Sequence, residues 1–100
     1  MMIYRIWRGL AKTSEADAFV RYLRDETFPR LKTLGGFVDA SIVRRPVPQG
    51  IEFVVISQWK SVDSIRAFAG PNAEAAVVPP KVRDMMVEYD EVAPHYEVVP

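Results

Sequence analysis

Ile51-Glu52-Phe53-Val54-Val55-Ile56-Ser57-Gln58-Trp59-Lys60 is the stretch that settles the architecture. It is dense in β-branched and aromatic residues and free of Gly and Pro, so it reads as a strand. Alternation places Ile51, Phe53, Val55, Ser57 and Trp59 on one face and Glu52, Val54, Ile56 and Gln58 on the other. Both faces are largely apolar, yet the helices of so short a chain can cover only one. A second copy of the same sheet is the simplest cover for the other. The expectation is a homodimer with two sheets face to face, each protomer enclosing a pocket.

Upstream, Pro46-Val47-Pro48-Gln49-Gly50 is a turn by composition, so the strand before it, Phe37 to Arg45, pairs antiparallel. Gly35-Gly36 closes the element preceding that strand, as a helix C-cap would. In that element Ala16, Phe19, Val20, Leu23, Thr27, Leu31 and Leu34 form one apolar stripe at helical spacing. Thr13 and Ser14 offer N-cap oxygens to it, and Pro29 predicts a kink or break near Phe28. Residues 2–10 read as the first strand. Downstream, Ser61 caps a short amphipathic helix through Val62, Ile65, Phe68 and Ala69, ended by Gly70-Pro71. The stretch 71–86 predicts short helical turns on either side of Pro79-Pro80. Residues 87–99 read as a last strand, interrupted by a bulge or bend around Pro94. The order is βαββαβ, an α+β, ferredoxin-like arrangement of a four-stranded antiparallel sheet with helices on one face.

The chain has 100 residues, 49% of them apolar and 26% charged, which fits one globular domain spanning residues 1–100. Thirteen basic side chains balance thirteen acidic ones, and this neutrality argues against nucleic acid, which needs a basic surplus. No cysteine is present, so disulfides, thiol nucleophiles and zinc-thiolate sites are excluded, and one His makes a transition-metal site a poor reading. Arg5 and Arg8 interrupt the N-terminal stretch, and no apolar leader core follows. Apolar runs such as Phe53–Ile56 are too short to span a bilayer. A cytoplasmic protein with no membrane partner is the expectation.

Three segments carry a family resemblance: Arg5-Ile6-Trp7-Arg8-Gly9, Gln58-Trp59-Lys60-Ser61-Val62 running on to Phe68-Ala69-Gly70, and His95-Tyr96-Glu97-Val98. Together they resemble antibiotic biosynthesis monooxygenase-type proteins, small members of the dimeric α+β barrel superfamily. The resemblance implies a dimer of ferredoxin-like protomers with a cavity between sheet and helices. It further implies oxygenation of quinol- or anthrone-like aromatics with no metal or flavin cofactor, or oxidative haem breakdown. Polyketide-oxidising members carry an Asn four residues before the tryptophan matching Trp59 and a Tyr six residues after it; this chain has Val55 and Ile65 there. Haem-degrading members place an Asn near Trp7, a Trp near Phe68 and a His near Val77, and none of these is present. Related short members often carry His where Arg8 stands.

Oxygenation without a cofactor requires a substrate anion held in a dry pocket beside oxygen. His95 is the candidate base, as the only side chain whose ordinary pKa lies near neutrality. Trp7, Phe53 and Trp59 are candidates to line a flat aromatic site, although large aromatics are more often core mass. Tyr96, with Tyr4, offers a phenolic donor. Arg5, inside an apolar strand, calls either for a carboxylate across the sheet, Glu97 or Glu52, or for an anionic ligand. Asp84, Glu88, Asp90 and Glu91 form an acidic cluster with no spacing that specifies a hydrolase or a metal site. The leading expectation is a cofactor-free monooxygenase acting on a small aromatic. The rival is a non-catalytic small-molecule-binding or stress-associated dimer of the same fold.

Overall fold

β3 (Gly50–Trp59) is the centre of the assembly: it pairs antiparallel with β2 (Phe37–Val47) on one side and with β1 (Ile3–Ala11) on the other. This computed structural model describes residues 2–100. The other edge of β1 carries β4 (Met86–Tyr89) and β5 (His95–Glu97), both antiparallel to it. The spatial order is β2-β3-β1-β4, with β5 continuing beside β1 where β4 leaves off. This is the ferredoxin-like order, but the fourth position is shared by two strands instead of one continuous strand. Pro94 has no N–H to donate, and residues 91–93 arch away from β1 to meet the chain at 74–76. Ala76 N–H donates to Glu91 O and Ala93 N–H to Glu74 O. On either side of the arch, Asp90 N–H donates to Arg8 O, and Ile6 N–H donates to Pro94 O.

The turn between β2 and β3 is tighter than its composition suggested. β2 runs on through Pro46 to Val47, leaving Pro48 and Gln49 as the connection. Pro46 is tolerated because β2 is an edge strand.

The long helical segment begins with a 3₁₀ turn, Thr13–Glu15, and continues as α1 (Ala16–Tyr22). Neither Thr13 nor Ser14 caps it through its side chain; Glu15 N–H instead donates to Lys12 O at 2.9 Å. Pro29 does not break the helix. A π-helical turn, Leu23–Thr27, leads directly into α2 (Phe28–Leu31), with Phe28 N–H donating to Leu23 O, five residues back. Widening the ladder just before Pro29 accommodates its ring and its missing donor. After α2 the chain turns at Gly36, whose φ is 86°, where a Cβ would collide with Ser64. α3 (Val62–Ala69) is capped as expected, Ser64 N–H donating to Ser61 Oγ at 3.1 Å. Residues 71–79 hold a turn and the Ala75–Val92 bridge instead of a helix. The only helix of this stretch, α4 (Pro80–Met85), starts at Pro80, where a missing N–H removes no helical bond.

The helices cover one face of the sheet. There Phe19 meets Phe53 edge-on at 4.9 Å, and Phe37 meets Trp59 at 5.3 Å, in two adjoining apolar clusters. The opposite face is bare in the single chain. Tyr4, Val43 and Tyr96 are exposed on it, and Ile6, Val54 and Ile56 are only half-buried. Glu52 lies on this bare face, held by Arg45 Nε at 2.6 Å and Arg8 Nε at 2.7 Å. Those two hydrogen bonds keep its carboxyl below the usual range. Among the described residues no helix is long and apolar enough to cross a membrane.

Candidate functional site

Between the inner sheet face and the helices lies a cavity of about 220 Å³. Its floor is the alternating inward set of β1 and β3: Arg5 and Trp7 opposite Ser57 and Val55. Phe19, Leu23 and Phe28 from the long helical segment wall one side, and Phe68 of α3 walls another. Val77, Pro79 and Val82 close the end where α4 begins. Tyr22, Glu26, Thr27 and Arg30 add polar groups from the helical side of the lining.

Of the residues singled out in the sequence, Arg5 and Trp7 line this cavity together. Trp7 is held by an Nε1–H bond to Asp90 O at 2.9 Å, and Gly9 leaves the room its ring occupies. Phe53 and Trp59 do not line the cavity. Both are fully buried core residues, and Trp59 Nε1–H donates to Ser57 Oγ at 2.9 Å. Tyr96 is on the wrong face for a pocket role: it is opposite Tyr4 on the bare side of the sheet and exposed. His95 pairs with Arg5 in the β1–β5 ladder but stays outside the cavity lining. Its Nε2 is 3.1 Å from Ala73 O, and its backbone N–H donates to Glu74 Oε2 at 3.0 Å. That position ties down the 73–76 turn.

Arg5 is the unusual group. It is only 6% exposed, and Nη2–H donates to Ala75 O at 2.5 Å. Its Cζ lies 5.4 Å from the centroid of Phe68, and Arg30 approaches the same ring at the same distance. Neither expected carboxylate meets it. Glu52 is outward with Arg8 and Arg45, and Glu97 pairs with Ile3. Among the described residues no carboxylate comes within 4.0 Å of Arg5, Glu26 included, and Arg5 Nε is buried with no partner at all. Burial without a counter-charge draws the guanidinium pKa down to about 10. It still carries a full charge at neutral pH.

The helix residues of the lining, Tyr22, Glu26 and Arg30, were not foreseen from the sequence. Their four-residue spacing was a usable signal, since it places all three on one helical face. No group of three or more His, Cys, Asp or Glu side chains comes together to hold a metal among the described residues.

No protein-family model matches the chain, and no curated protein is a significant match. Solved structures do match its fold. An antibiotic biosynthesis monooxygenase candidate from Bacillus cereus is 20% identical with a TM-score of 0.65, covering 98% of this chain and 91% of that one. A monooxygenase from Streptomyces coelicolor, solved with nanaomycin D, is 13% identical with a TM-score of 0.57, covering 99% and 91%. A nipsnap family protein of unknown function from Agrobacterium tumefaciens is 24% identical with a TM-score of 0.55, covering 95% and 84%. At these identities the likeness establishes a shared fold, and the resemblance seen in the sequence is met at that level.

Proposed function

We propose that the protein is a cofactor-independent monooxygenase acting on a small aromatic of the quinol class, within a homodimer. The observation that carries this reading is the aromatic cavity on the inner sheet face, with Trp7, Phe19, Phe28 and Phe68 around it and a buried cation in its wall. The Streptomyces coelicolor monooxygenase, which has the same fold, was solved in complex with nanaomycin D, and this supports a small organic ligand here. The cavity, at about 220 Å³, lies below the ~300–1,000 Å³ common for drug-sized ligands, which favours a compact quinol over a larger anthrone.

The chemistry asks three things of the chain. Apolar walls exclude water from the ring and from oxygen. A proton must leave the phenol, and Glu26 is the only carboxylate in the lining. The ring must be held flat, as Trp7 and Phe68 can do. With 1,4-dihydroxynaphthalene, C10H8O2, one molecule of O2 gives 2-hydroxy-1,4-naphthoquinone, C10H6O3, and water. The quinol supplies all the electrons, so no external reductant enters. A second copy packed on the bare sheet face would bury Tyr4, Val43, Ile56 and Tyr96 and brace the floor of each cavity from behind.

Oxygen uptake with 1,4-dihydroxynaphthalene under ¹⁸O2 tests the reading. The expected result is protein-dependent uptake with one ¹⁸O atom in the hydroxynaphthoquinone. Uptake no faster than the protein-free reaction, or a product whose new oxygen comes from water, would refute it. Thermal stabilisation by the quinol without turnover would favour a purely binding protein.

A further inference from the structure

We infer that the ligand of this cavity is an aromatic carboxylate whose anionic group pairs with Arg5. The inference rests on the reading of the cavity as the ligand site and adds the substrate class. Four observations carry it. Arg5 is nearly fully buried, it lines the cavity, it has no carboxylate within ion-pair reach, and its Nε donates to nothing. A buried guanidinium normally has a paired anion, because an uncompensated charge away from water is costly. The five ion pairs among the described residues satisfy Arg8, Arg44, Arg45 and Arg66, all on or near the surface, and leave Arg5 out.

The alternatives within the fold are closed off by its geometry. Glu52 is committed on the opposite sheet face. Glu26 shares the cavity lining but not an ion pair with Arg5. His95, beside Arg5 in the ladder, is an imidazole and cannot supply an anion; its Nε2 lies 3.1 Å from Ala73 O. The missing anion therefore comes from outside the chain. A carboxylate suits it better than a phenol, because carboxylates are charged throughout the neutral range in which Arg5 is a cation, whereas an ordinary phenol is not. The guanidinium fork also matches a carboxylate's two oxygens. The ring attached to that carboxylate would lie among Trp7, Phe19 and Phe68.

Calorimetric titration of the intact protein with 2-naphthoate and with 2-naphthamide, its neutral counterpart of similar shape, is the test. The expected result at pH 7 is that the carboxylate binds about 10- to 100-fold more tightly than the amide. In Arg5→Met, and separately in Arg5→Gln, that preference disappears while amide binding is kept. Equal binding of the two probes by the unmodified protein overturns the inference, with no variant needed. So does binding of neither probe, or an undiminished preference in either variant. The ¹⁸O2 experiment uses an uncharged quinol, so the two ideas fail separately. Labelled turnover with equal binding of the probes leaves an oxygenase without carboxylate selection. A clear carboxylate preference without turnover leaves an anion-binding cavity without oxygenase chemistry.

Discussion

Replacing Arg5 by Met separates a ligand-holding arginine from a structural one. Burial without a counter-charge lowers the guanidinium pKa to about 10. At ~1.4 kcal/mol per pKa unit, the charge then opposes folding by on the order of 3 kcal/mol at neutral pH. Methionine removes that opposition and keeps an apolar side chain of comparable length. Against it, Ala75 O loses a charge-assisted hydrogen bond worth about 1.5–3 kcal/mol. Phe68 loses a cation–π contact worth about 0.5–1 kcal/mol. These contributions nearly cancel, so Arg5→Met is expected to lie within about 1 kcal/mol of the unmodified protein. An arginine paired in the interior would behave otherwise, since breaking such a pair costs about 3–5 kcal/mol.

Urea unfolding at matched protomer concentration measures the difference, and concentration must match because self-association, where it occurs, adds to apparent stability. The pH dependence gives a second check with a definite sign. Above about pH 10 the folded protein sheds the Arg5 proton, while the unfolded chain still holds its own. The unfolded state then binds more protons, so the unmodified protein gains on Arg5→Met as pH rises through that range. A loss of about 3 kcal/mol or more in Arg5→Met at pH 7 would refute the reasoning, because it would mean that Arg5 has a structural partner.

Gly9→Ala should destabilise the fold by about 1–3 kcal/mol and shift Trp fluorescence, because the added methyl runs into the Trp7 indole; an unchanged unfolding midpoint would contradict that packing. Ile56→Glu, on the bare sheet face, is expected to convert a dimer of twice the chain mass into a folded monomer by native mass spectrometry. A persistent dimer would place the interface elsewhere. Glu26→Gln should slow quinol oxidation by about 100-fold or more, whereas His95→Gln should stay within about threefold. The reverse pattern would make His95 the base.

The element order was legible because each helix and strand carries its own period. The apolar stripe from Ala16 to Leu34 and the alternation from Ile51 to Trp59 each survive in the structure. Details failed where backbone pairing outweighs residue preference. Thr13 and Ser14 looked like caps, but the chain enters the helix through a 3₁₀ turn whose bonds are made by the backbone. Pro29 reads as a break because its cost is local, while the π-helical turn that absorbs it, Leu23–Thr27, lies upstream of Phe28. The arch at 91–93 depends on a partner about seventeen residues away, Ala75, and no periodicity within either segment records that bridge. The sequence leaves Trp59 and Phe53 open between pocket and core, because an inward aromatic looks the same whether a helix covers it or a cavity opens above it. Helix placement makes that choice, and α3 and α1 lie over those two positions.

Arg5 shows how much a parity count can add to such a reading. Inward positions alternate, so Ile3, Arg5 and Trp7 share one face, as do Phe53, Ser57 and Trp59. Once Trp59 is assigned inward, Glu52 must point outward, and the salt bridge to Arg5 across the sheet is already excluded. The same count places Arg8, Glu52 and Arg45 together on the outer face, where they form one ion-pair cluster. Arg5 is therefore alone because of topology and not for want of acids, since the chain has as many carboxylates as cations. A buried cation that none of the described residues neutralises, placed in the wall of an aromatic cavity, would be stabilised fully only when a ligand supplies the anion. The stability that Arg5 withholds from the empty fold would then be returned as affinity for the ligand. The near-neutral stability of Arg5→Met and its lost preference for naphthoate are thus two readouts of one unpaired charge.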